Sequence, residues 1–154
     1  MEHVTSKKAI QVLNDLIAIN NDRIEGYQKA ISELKPTDAD LRALFTEFID
    51  VSKKIKNELV SEVQSADEDY EKGTTNSGKL FRAWMDVKSV FTGHDRYSTL
   101  VNCERGEDAA QEAYRDALKE ELPADVMTML SAQQQQLKTG HDKVKRLRDN
   151  LKHN

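Results

Sequence analysis

Cysteine is almost missing from this chain. Cys103 is the only one in 154 residues, which excludes an intrachain disulfide and any zinc site built on a cysteine cluster. There are two prolines and six glycines, and aromatic residues make up 6% of the sequence. So few turn formers and rings exclude a loop-rich all-β domain and a low-complexity chain. No uninterrupted apolar run reaches the roughly 18 residues that a membrane-spanning helix needs, and Met1-Glu2-His3-Val4 lacks the basic lead into an apolar run that marks an export signal. A lone thiol without such a signal fits a reducing cytoplasm. The net charge of -4 has the wrong sign for a general nucleic-acid surface, so neither nucleic acid nor a membrane is expected as a partner. Phosphate-cradling glycine loops, hydrolase elbows, zinc-protease helices and kinase signatures are also missing.

What is present is helix. Charged residues of both signs make up 32% of the chain, and its length suits one domain, 1–154, with one core. Ile10, Leu13, Ile17, Ile24, Tyr27, Ile31 and Leu34 recur by threes and fours, as one stripe of a helix over about 5–35 does. Pro36 stops it, and Thr37 or Asp38 offers a capping oxygen to the next helix. Leu41, Leu44, Phe45, Phe48, Ile55, Leu59 and Val63 continue the pattern over about 38–71, and the short turn makes the two helices antiparallel neighbours. Gly73-Thr74-Thr75-Asn76-Ser77-Gly78 reads as a linker. Leu80, Trp84, Val87 and Phe91 mark a short helix over about 79–92, long enough with its linker to carry the chain back along a bundle. Asp95 caps a helix over about 96–121, and Pro123 opens another over about 123–151 whose basic last turns suit the negative end of its dipole. Asp38-Ala39-Asp40-Leu41 and Pro123-Ala124-Asp125-Val126 restart the two hairpins in a similar way. The expectation is an all-α four-helix bundle of two antiparallel hairpins joined by a long crossover containing a short helix.

The stripe is interrupted at mid-length. In the helix over about 96–121 the inward seam reads Tyr97, Leu100, Glu104, Glu107, Gln111, Tyr114 and Leu118, with polar groups where aliphatic ones belong. Asn20, Ser52 and Gln133 interrupt the other helices at similar depth, with Gly140-His141 one or two turns beyond Gln133. Buried carboxylates need a cation, a proton or hydrogen-bond donors. Glu104, Glu107 and His141 have the ligand chemistry of zinc, iron or manganese. A hydrogen-bonded layer that fixes helix register accounts for the same residues, with Asn20, Ser52, Gln111 and Tyr114 as members and Asn20, Tyr114, His141 or Arg105 as partners of the carboxylates, and is preferred. Glu25 and Glu58 read as boundary charges, Tyr27 as a core ring, Cys103 as a half-buried structural thiol, and His94-Asp95 as a surface histidine beside a cap.

Asn20-Asn21-Asp22-Arg23-Ile24-Glu25-Gly26-Tyr27, Phe81-Arg82-Ala83-Trp84-Met85-Asp86, Cys103-Glu104-Arg105-Gly106-Glu107-Asp108-Ala109-Ala110 and Gly140-His141-Asp142 resemble an uncharacterised bacterial four-helix-bundle family grouped with the ferritin-like proteins. The resemblance runs from about Lys8 to Arg148 and implies a ferritin-like fold. Ferritin-like di-iron proteins carry a Glu-x-x-His pair on each of two helices; here Lys138 stands three residues before His141, and the helix over about 38–71 has no histidine. The preferred function is therefore a non-catalytic bundle, an assembly or stress-associated accessory protein, with a metal-binding, redox-active bundle as the alternative. The amphipathic crossover must cover the bundle or meet another subunit, which points to a homo-oligomer, a dimer first.

Overall fold

The computed structural model describes residues 6–89 and 95–152, and its regular elements are helical. The expected helix start at Thr5, the crossover residues Phe91, Thr92 and Gly93, and His94 lie outside the described residues. Five α-helices follow in order: α1 Lys7–Glu33, α2 Ala39–Ser65, α3 Gly78–Ser89, α4 Arg96–Ala117 and α5 Ala124–Lys152, with a 3-10 turn at Pro36–Asp38. Ser6 caps α1 by accepting from the Ala9 amide, and Asp95 caps α4 by accepting from the Ser98 amide.

Two helix ends and one cap differ from the sequence expectation. The second helix stops at Ser65, not near residue 71, because Asp67 turns into the left-handed region at φ 57°. The Asp67 amide then donates to the Gln64 carbonyl at 3.0 Å and the Glu68 amide to the Val63 carbonyl at 3.3 Å, which closes the helix end as a Schellman motif. Asp38 makes no side-chain cap bond at the start of α2. Its carboxylate receives Arg96 Nη1 at 3.1 Å instead, and Arg96 also binds Asp40, tying the start of α4 to the start of α2. The fourth helix ends at Ala117 in a run of turn hydrogen bonds.

Residue pairs in contact run in opposite chain order between α1 and α2, where Arg23 meets Ser52 and Tyr27 meets Phe45. The same holds between α4 and α5, where Gln111 meets Gln134 and Glu104 meets Arg148. Both hairpins are therefore antiparallel. Residues 66–77 begin the return alongside α1 without regular structure, and α3 continues it. The path of 66–77 is set by polar residues of α1. Asn14 accepts from the Glu71 amide at 2.8 Å and donates to the Asp69 carbonyl, Asn21 donates to the Gly73 carbonyl at 2.8 Å, and Asp22 accepts from the Thr75 amide and hydroxyl. This strap explains why Leu16 to Ile24 of α1 are buried without interruption.

The crossover helix α3 lies on α1 and α4, and Trp84 is fully buried there. It covers this chain's own core. A Cβ on Gly26 would sit 2.5 Å from the indole, and one on Gly106 2.8 Å, so two helical glycines create the slot that admits the ring. The remaining core falls into two clusters. One gathers Leu13, Ile17, Leu59, Val126 and Leu130, and the other Tyr27, Phe45, Phe48, Trp84 and Leu100. Between them lies the polar layer.

Candidate functional site

Arg23 organises the layer. Its side chain is 1% exposed, as is that of Glu107, and its Nε donates to both Glu107 oxygens at 2.7 and 3.0 Å. Nη1 donates to the Phe48 carbonyl and the Ser52 hydroxyl, both at 3.0 Å, and the guanidinium lies 4.8 Å from the Phe48 ring centroid. Gly140 of α5 makes room for it, since a Cβ there would stand 2.8 Å from Nη2. A pair taken this far out of water forfeits several kcal/mol of hydration per ion, so neither partner is tolerable without the other. Burial pushes the Glu107 carboxyl above its ordinary value and Arg23 opposes that rise.

A second chain of bonds crosses beside the first. The Tyr114 hydroxyl donates to Gln133 Oε1 at 2.9 Å and receives Asn20 Nδ2 at 3.3 Å, and Gln133 Nε2 reaches Glu58 at 3.2 Å. Gln111 donates to the Gln134 carbonyl at 3.2 Å. Arg23 thus joins Glu107 and Ser52, Tyr114 joins Asn20 and Gln133, and Gln111 ties α4 to the α5 backbone. Tyr97, expected on the inward seam, is exposed. Tyr27 Oη and Trp84 Nε1 are buried without a hydrogen-bond partner among the described residues. Burial, with Glu107 facing it, raises the Tyr27 phenol well above its ordinary value. The Cys103 thiol is fully buried rather than half-buried, and burial raises it far out of the nucleophilic range.

Glu104, Glu107 and His141 are divided between two environments. Glu107 turns inward to Arg23. Glu104 meets Arg148 at the edge of the α4–α5 contact, and Arg148 also binds Asp149 at 2.7 Å. His141 places Nε2 2.5 Å from Asp108 and Nδ1 3.0 Å from Asp142. Burial alone would lower the imidazole pKa, but these two carboxylates reverse the effect and hold it above its ordinary value. Arg105, weighed as a carboxylate partner, is exposed. Arg23 and Asp108 were not read as site residues from the sequence. For Arg23 a signal existed, because it stands three residues after Asn20 and four before Tyr27, on the stripe itself. Asp108 follows Glu104 by one turn at the edge of the same face of α4, but it is exposed, so the apolar pattern does not single it out.

A family described as a domain of unknown function (DUF2383) matches residues 8–120. Among solved structures, a conserved hypothetical protein, rv2844, from Mycobacterium tuberculosis superposes with a TM-score of 0.71 at 13% identity, covering 93% of this chain and 99% of that one. At that identity the likeness shows the fold alone. No curated protein matches the chain. The chain belongs to the DUF2383 family.

Proposed function

We propose that this member of the DUF2383 family is a ferritin-like four-helix bundle that has exchanged a central metal site for an internal ion pair and acts without catalysis. Its role is that of a bacterial, cytoplasmic, stress-associated accessory protein working through assembly or protein partners. The observation that carries the reading is Arg23: its Nε lies 2.7 and 3.0 Å from the two oxygens of Glu107, at mid-bundle between the two core clusters. A fixed guanidinium supplies the positive charge that a buried carboxylate requires and repels a second cation from the same place. The crossover beside α1 and the two antiparallel hairpins support the ferritin-like arrangement.

The test is ferrous iron added in air to the purified protein, with and without Glu107→Gln. Iron oxidation at the rate of buffer alone, unchanged by the substitution, is expected. Saturable oxidation that depends on the protein and is lost in Glu107→Gln would overturn the proposal. The assembly part rests on Met85 and Tyr97, the large apolar side chains left exposed among the described residues. Light scattering at rising concentration should show a homodimer, and a mass that stays at one chain removes that part.

A further inference from the structure

We infer that Glu104, Asp108 and His141 form a zinc-binding site on the outer edge of the α4–α5 contact, separate from the central ion pair. One ligand atom from each lies within 4.8 Å of the other two. Glu104 and Asp108 stand four residues apart on α4, which stacks them one turn apart on one face. His141 faces them from α5, with Nε2 directed at Asp108. Its other nitrogen, Nδ1, lies 3.0 Å from the Asp142 carboxylate. A carboxylate on the far nitrogen orients an imidazole for a metal and raises its basicity. Tetrahedral zinc with bonds of about 2.1 Å sets its ligand atoms about 3.4 Å apart. Asp108 is 60% exposed, so its carboxylate has room to rotate toward that spacing. One nitrogen and two carboxylate oxygens suit zinc better than calcium or magnesium, and water completes the fourth position.

Arg148 is the competing group. It holds one oxygen of Glu104, leaving Oε1 for a metal, and its charge opposes a cation nearby. It therefore sets the affinity without being a ligand. His141 must also shed its proton to bind, so zinc binding weakens as pH falls.

The experiment is competition between untagged protein and a chromophoric zinc chelator at neutral pH, with circular dichroism to confirm that each variant is folded. Wild type is expected to take one zinc per chain. Asp108→Asn and His141→Ala should each weaken binding by about tenfold or more, Arg148→Ala should tighten it, and Glu112→Gln, another exposed carboxylate of α4, should leave it unchanged. Failure of wild type to compete at micromolar zinc overturns the site and leaves His141, Asp108 and Glu104 as a salt-bridge network only. Zinc uptake unchanged by Asp108→Asn and His141→Ala overturns it as well.

Discussion

Removing Glu107 from the central pair tests the layer most directly. In Glu107→Leu the guanidinium of Arg23 keeps its two Nη1 bonds, to the Phe48 carbonyl and Ser52, but Nε loses both of its acceptors and the positive charge stays buried at 1% exposure. Breaking a buried pair on one side costs about 3–5 kcal/mol. For a chain of this length each kcal/mol moves the midpoint by about 2–4 °C, so a fall of roughly 6–20 °C is expected. Arg23→Met with Glu107→Leu removes both charges and fills similar volume with apolar atoms. That double variant should return to within about 2 kcal/mol of wild type, because what is lost is a pair whose attraction largely offset its own desolvation. Urea unfolding of wild type, both single variants and the double variant yields the coupling energy, expected to exceed about 2 kcal/mol. Additive single effects, or a Glu107→Leu cost under about 1 kcal/mol, would refute the assignment of Arg23 and Glu107 as a buried, mutually dependent pair.

Three further predictions concern the fold. Gly106→Ala puts a methyl 2.8 Å from the Trp84 ring and should cost about 1–3 kcal/mol through overpacking. Trp84 is the sole tryptophan, so its emission should shift red as the ring leaves the slot; unchanged emission and stability would contradict the close contact. Asp67→Gly relieves a non-glycine residue at φ 57° and should stabilise the protein by about 0.5–1 kcal/mol in thermal melts, whereas destabilisation would argue against the left-handed cap. Arg96 holds the Asp40 carboxyl below its ordinary value of 3.8. A depressed folded-state pKa contributes stability above pH 3.8 that disappears as pH falls through the folded value. Asp40→Asn should therefore flatten stability against pH in that acid window and leave the slope near neutrality unchanged. An identical acid limb in both proteins would count against the pair.

Much of the architecture was legible because it rests on period and punctuation. Hydrophobic residues spaced by threes and fours, Pro36, the linker after Gly73 and the Asp95 cap act locally, so they locate the helices without knowledge of their neighbours. Breaks in the same pattern at Asn20, Ser52, Glu107, Gln111 and Tyr114 mark polar side chains that the structure buries. The end of α2 was not legible, since an aspartate in the left-handed region lacks the glycine that announces such a cap. Periodicity says nothing of what Asn14, Asn21 and Asp22 bind, and only the return of residues 66–77 alongside α1 makes them fasteners.

By itself the sequence determined the helical class, the order of elements and the presence of unsatisfied polar groups in the core, because each follows from which residues share a helix face. Tertiary structure decided what satisfies those groups. Arg23 and Glu107 are 84 residues apart, and Asp108 and His141 are 33 apart. A partner at that separation is chosen by how helices pack. Gly26, Gly106 and Gly140 permit the close approaches that put Trp84 and Arg23 in place, and a charge with its counter-charge brought to it is core, whereas the same charge alone would be surface.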